Sequence, residues 1–165
     1  MEMQNATPSE EKRAEFEQRQ KALNEDQEAK IKEFLGNSDY EKYQEYQRTS
    51  GFRYNVNGFM ETLGSGEKLT EIQQQELIEA MKEETENISS EMSDEDNKFL
   101  FPSERYEEER IGRYLERQER IHEAYIDAAK NILSSSQTDK YREYLKQRRD
   151  MIESSLKLQA LRYSD

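Results

Sequence analysis

The sequence predicts an all-α protein: elongated antiparallel helical hairpins forming a bundle of about five to six helices, with dimerisation available to complete the core. Three observations carry that expectation. Apolar residues recur at three- and four-residue intervals over long stretches. Helix start and stop signals follow one another in order along the chain. No alternating β-branched run exists, and valine occurs once in 165 residues.

The chain is 32% hydrophobic and 38% charged, against about 45–50% and 25% in an ordinary globular chain. So little apolar material cannot fill a thick, many-layered core, whereas helices that each bury one narrow stripe need less. Disorder is the competing outcome for such polarity. Ten Tyr, six Phe, only two Pro and the sustained helical period argue for folding.

The first helix opens at Thr7-Pro8-Ser9-Glu10, an N-cap followed by a proline suited to the first turn. It carries Phe16, Leu23, Ile31 and Phe34 on one side and is expected to stop near Gly36. A second helix then holds Tyr40, Tyr43 and Tyr46 up to Gly51. A short third, from Tyr54 to Leu63, holds Val56, Phe59 and Met60 before Gly64-Ser65-Gly66. The fourth opens at Thr70 and runs to about Met92 with Leu77, Ala80, Met81 and Ile88 inward. Ser103 is read as the cap of a long helix to about Leu133, striped by Ile111, Tyr114, Leu115, Ile121, Tyr125, Ala128, Ala129 and Ile132. The last helix starts near Ser135 with Tyr141, Tyr144, Leu145, Met151, Ile152, Ser155 and Leu156. The expected organisation is one domain: a flexible start at 1–10, an N-terminal helical half at 11–88, an acidic linker at 89–103 in which Phe99-Leu100-Phe101 tuck against the helices, and a C-terminal hairpin at 104–165.

Residues 35–46 echo residues 133–144, with six of twelve aligned positions identical. The shared residues are Leu35/Leu133, Ser38/Ser136, Lys42/Lys140, Tyr43/Tyr141, Glu45/Glu143 and Tyr46/Tyr144. In each copy a leucine ends one helix, small polar residues cap the next, and two tyrosines lie one turn apart. Tyrosine suits such a place because its ring packs while its hydroxyl reaches a partner or water. Tyr43, Tyr46, Tyr141 and Tyr144 are therefore the candidate protein-binding residues, and each would equally suit the core.

A second pattern is the capping box. Leu69-Thr70-Glu71-Ile72-Gln73 is Leu-Thr-x-x-Gln, and Leu133-Ser134-Ser135-Ser136-Gln137 is its serine variant. The cap hydroxyl accepts from the N3 amide while the glutamine side chain returns to the cap residue's N–H. Leu69, Thr70, Gln73, Leu133, Ser134 and Gln137 are thus the expected structural caps. These two elements resemble the Leu-Thr-x-x-Gln motifs of the Spy/CpxP family of bacterial periplasmic proteins, and the stretch from Asn131 to Arg149 looks most like that family's second motif and following helix. The resemblance implies an envelope protein, helical and often dimeric, that acts as an ATP-independent chaperone or as a sensor of misfolding or metals. This chain departs from the chaperone pattern in its acidity.

Lys and Arg number 25 against 37 Asp and Glu, for a net charge of −12. That sign repels phosphate backbones, so no nucleic-acid partner is expected; Lys146-Gln147-Arg148-Arg149 is too short a basic run to reverse it. No run approaches the roughly 18 apolar residues of a membrane span. The polar start Met1-Glu2-Met3-Gln4-Asn5 is not a signal peptide, which fits an exported protein whose leader has been removed or a cytoplasmic one. Zero cysteine excludes disulfide and thiol chemistry and fits either compartment.

Catalytic arrangements are missing. His122 is the single histidine, and Glu119-x-x-His122 lacks the second such pair that carboxylate-bridged metal bundles need. Asp94-Glu95-Asp96 lacks calcium-loop spacing, and Glu107-Glu108-Glu109 reads as solvated surface. Gly64-Ser65-Gly66-Glu67-Lys68-Leu69-Thr70 has the wrong residue order for a phosphate loop. The sequence therefore predicts no enzyme, no cofactor and no metal. It predicts a protein-binding module whose partners are protein clients or a sensor or assembly partner, with a homodimer as one form. The alternative is a helical structural or adaptor protein acting by dimerisation.

Overall fold

The computed structural model describes residues 10–90 and 102–163. Among these residues the chain is all-helical, with four long helices: α1 (Glu10–Thr62), α2 (Glu71–Ser90), α4 (Glu108–Ala129) and α5 (Ser135–Tyr163). A single turn, α3 (Pro102–Arg105), precedes α4. The expected five to six helices are therefore four, and α1 accounts for the difference.

Three separate helices were expected over the first sixty residues. The expected break at Gly51 does not occur, because Thr49 on one side and Asn55, Val56 and Phe59 on the other are all buried. Their packing outweighs the roughly 1 kcal/mol that an interior glycine costs a helix. Gly36 is different: its backbone is non-helical, at φ 73° and ψ 169°. Residues 24–31 and 40–48 nonetheless line one cleft, so the chain folds back there. In an uninterrupted helix those two sets would lie tens of ångströms apart on roughly opposite sides. The N-terminal part of α1, residues 10–35, is thus an arm hinged on one residue.

That conformation belongs to the region open essentially to glycine alone, and nothing lies within 4 Å of the position a Cβ would take. Gly36→Ala should therefore act through the backbone. The folded-back form should lose about 1–3 kcal/mol while a straight helix gains about 1 kcal/mol, so the arm should swing out. Small-angle scattering should show a larger radius of gyration with the main thermal transition unmoved; an unchanged radius would refute this account of the hinge.

The core gathers the C-terminal part of α1 with α2, α4 and α5. Val56, Phe59, Leu63, Leu77, Met81, Ile121, Tyr125, Ala129, Tyr141 and Leu145 belong to one buried cluster. Helix α2 packs on α4 and α1, and α4 packs on α5, so the expected halves share one core. Gly58 permits a close approach of α1 and α5: a Cβ there would sit 2.5 Å from the Tyr144 hydroxyl, which donates to the Asn55 carbonyl at 3.0 Å. The sequence stripe on α2 is correct at Leu77 and Met81, but it missed Ile78, which is buried.

Several boundaries move. Helix α4 begins at Glu108 behind an extended Glu107 that makes no side-chain cap hydrogen bond; Ser103 falls in α3, so it does not cap α4. The helix stops at Ala129 and a turn carries the chain through Leu133, where Leu133 N–H donates to the Ala129 carbonyl at 2.8 Å. Ser89 and Ser90 belong to α2. The rest of the expected linker up to residue 101, including Phe99-Leu100-Phe101, lies outside the described residues, as do residues 1–9 with the Thr7-Pro8-Ser9 cap. Met151 is exposed, because the cluster on α5 ends with Leu145.

Candidate functional site

Both capping boxes form as the sequence predicts. In the first, Gln73 N–H donates to the Thr70 hydroxyl at 3.2 Å and Thr70 N–H donates to Gln73 Oε1 at 3.0 Å. The second repeats this, with Gln137 N–H on the Ser134 hydroxyl at 3.3 Å and Ser134 N–H on Gln137 Oε1 at 3.0 Å. Leu69 and Leu133, which precede the caps, are buried in the shared core.

The sequence does not reveal that the boxes bind each other. Gln73 Nε2 donates to the Ile132 carbonyl at 3.0 Å, in the turn before the second box. Gln137 Nε2 donates to the Glu67 carbonyl at 3.0 Å, in the loop before the first. The two side chains also meet, Gln73 Nε2 to Gln137 Oε1, at 3.4 Å. Each glutamine thus caps its own helix and ties down the loop leading into the other. The Glu67 carboxylate closes the outside of this knot, accepting from the Ser136 hydroxyl at 3.0 Å and pairing with Lys140. Those two contacts, Lys140 first, hold its carboxyl below the usual carboxylate range.

The four candidate tyrosines separate into two environments. Tyr141 is fully buried, its ring 4.9 Å from Phe59 between centroids and 6.5 Å from Tyr144. Burial pushes its phenol pKa far up, and its hydroxyl has no hydrogen-bond partner. Tyr144 is half-buried and held by the Asn55 carbonyl, with the Arg148 guanidinium 5.8 Å over its ring. An enclosed ring presents no surface to a partner, so Tyr141 serves packing, and Tyr144 serves it largely.

Tyr43 and Tyr46 stand at the surface. Tyr43 is half-buried; its hydroxyl accepts from Gln47 Nε2 at 2.6 Å and its ring stacks near Tyr40 at 6.3 Å. Tyr46 is 61% exposed, with the Arg53 guanidinium 5.9 Å over its ring. Tyr43 lines the cleft between the arm and the rest of α1, a space of about 530 Å³ whose walls include Ile31, Tyr40 and Gln44. Tyr40, absent from the sequence-derived set, is 8% exposed and covered by Lys32, whose ammonium lies 5.6 Å from the ring centroid. Its position one turn before Tyr43 was the available signal. Around this region Phe34 is 88% exposed and Leu23 45%, and the arm's start is held to α3 by an Arg13–Glu104 ion pair.

His122 is half-buried. Burial lowers its pKa, Arg148 and Arg149 lower it further, and Glu119 opposes them. Glu119 is itself engaged by Arg149, at 2.9 Å. Among the described residues no three His, Cys, Asp or Glu side chains cluster to hold a metal ion, and no helix is long and apolar enough to cross a membrane. No family model, no curated protein and no solved structure matches the chain.

Proposed function

We propose that this protein is a non-enzymatic protein-binding module, an ATP-independent chaperone-like protein of the periplasm or another exported compartment. The observation that carries the reading is the surface of the α1 hairpin. Large apolar and aromatic side chains stand in solvent at Leu23, Phe34 and Tyr46, beside an open cleft walled by Tyr40 and Tyr43. Such groupings on a charged surface suit transient contact with apolar segments of other chains, and tyrosine offers both a ring and a hydroxyl to varied partners. The interlocked capping boxes support the same reading. The two elements that resemble the Spy/CpxP motifs meet in space and brace the bundle from which the hairpin projects.

The test is aggregation of an unfolding client protein followed by light scattering without ATP. The protein should suppress it at near-stoichiometric ratio. Tyr43→Ser combined with Tyr46→Ser should remove most of the suppression while stability changes by only about 0.5–1 kcal/mol, as surface substitutions do. Full suppression by that variant would move the site elsewhere, and no suppression by the unaltered protein would refute the reading.

A further inference from the structure

The lining of the α1 cleft is mirrored about the hinge. It pairs up at equal distances from the midpoint between Leu35 and Gly36: Ile31 with Tyr40, Glu28 with Tyr43, Gln27 with Gln44, and Asn24 with Gln47. Where the chain folds back at Gly36, residues equally far from the hinge stand at equal depth. The closed end is therefore apolar, with Ile31 half-buried and Tyr40 buried. The two outer layers set carboxamide against carboxamide. Each wall, 24 to 31 and 40 to 47, is about 10 Å of helix, the reach of about three residues of extended chain.

Little of this hydrogen-bonding capacity is consumed within the hairpin. Gln44 Nε2 donates to the Tyr40 hydroxyl at 3.1 Å, and Gln47 Nε2 to the Tyr43 hydroxyl at 2.6 Å. Each phenol accepts there, so its own O–H remains to be given, and each glutamine keeps its carbonyl oxygen. Asn24, Gln27 and Glu28 make no hydrogen bond or ion pair among the described residues. Both walls thus offer donors and acceptors together, across a space of about 530 Å³. Charge narrows the occupant. Arg48 pairs with Glu45 at 3.1 Å, which leaves Glu28 as the unneutralised charge of the lining on a protein of net charge −12. An anionic occupant is repelled.

We propose that the cleft binds a short extended stretch of uncharged or basic polypeptide through its backbone, with one apolar side chain at the closed end against Ile31 and Tyr40. A carboxamide carries the same N–H donors and C=O acceptor as a peptide group, so Asn24, Gln27, Gln44 and Gln47 can answer both kinds of backbone group from either wall. This deepens the client-binding reading and rests on it for the class of partner. Every segment carries these backbone groups, whatever its sequence, but in a folded chain they are already paired. The cleft therefore selects unfolded chain over folded chain without selecting a sequence.

Calorimetric titration of the full chain tests it, with a blocked peptide of alternating serine and leucine and the same peptide N-methylated at its central residues. N-methylation removes backbone donors and keeps the side chains, and should weaken binding about tenfold or more. Gln27→Leu with Gln44→Leu, at exposed positions, keeps the size of the walls and removes the central amides. It should weaken the parent peptide by a similar factor and shrink the gap between the two peptides, with the melting curve unchanged. Equal affinity for both peptides would overturn the proposal, as would no binding of either at millimolar concentration. So would tighter binding by the leucine variant, which would make the contact apolar, or binding of maltotriose in place of the peptides, which would make the cleft a saccharide site. Suppression of client aggregation alongside equal peptide affinities would sink backbone recognition and leave client binding standing. Discrimination between the peptides without suppression would uphold the cleft and overturn the chaperone reading.

Discussion

Replacing Tyr141 by alanine is expected to lower the melting temperature by on the order of 10 °C. The ring is completely enclosed, in contact with Phe59 and Tyr144 and in the same cluster as Leu145, Val56 and Ala129. Truncating a buried aromatic removes its transfer energy and leaves a cavity, together about 3–5 kcal/mol. Small domains hold only about 5–15 kcal/mol in total. Tyr141→Phe should behave oppositely, because its hydroxyl is buried without a hydrogen-bond partner. Deleting it removes a desolvated group and keeps the ring, so stability should hold or rise by up to about 1 kcal/mol. Calorimetry on the two variants separates ring from hydroxyl. Equal losses from both would show that the hydroxyl is satisfied and the packing argument incomplete.

The second large effect is expected at Gln137. Its side chain accepts from Ser134 N–H and donates to the Glu67 carbonyl, and Gln73 leans on it. Gln137→Ala leaves those groups without their partner in a site that is 8% exposed. At about 1–3 kcal/mol for each buried group left unsatisfied, a loss of about 2–4 kcal/mol follows. Gln73→Ala, in a half-exposed place, should cost about half as much. Since each glutamine ties the loop that precedes the other's helix, the double variant should lose less than the two single losses added, by at least about 0.5 kcal/mol. Strict additivity in urea titrations would mean that the boxes act as two separate caps.

The difference between these two sites mirrors what was legible in the sequence. A capping box is decided within four residues, so Thr70, Gln73, Ser134 and Gln137 could be read directly, and the leucines before them followed from the same spacing. The stripes of α2 and α4 were legible wherever helices cover them on one side, as at Leu77, Met81, Ile121 and Tyr125. Contacts between distant segments were not. Nothing local distinguishes a glutamine that caps its own helix from one that also reaches a carbonyl 59 residues away. Nor does spacing distinguish Gly51, which a helix passes through, from Gly36, where it breaks; packing on both sides decides the first and folding back the second. The tyrosine pairs show the same limit. Tyr43 and Tyr141 occupy equivalent places in the echo, yet one lines a cleft and the other fills the core, because only the second is covered by other helices.

The hinge at Gly36 also divides the molecule into two grades of order. Amides in the bundle are protected by a shared core and exchange chiefly when the whole domain opens, whereas the arm's helix has few buried residues and is held at its start by the Arg13–Glu104 ion pair. It can unwind or lift away as a separate unit at much lower free energy. Hydrogen exchange should therefore show an early tier over the arm and a late one over α2, α4 and α5, and proteases should trim the first before touching the second. A ligand on the arm would slow only the early tier, so a melting curve, which reports the bundle, would barely register an event that reorganises the exposed first helix of the chain.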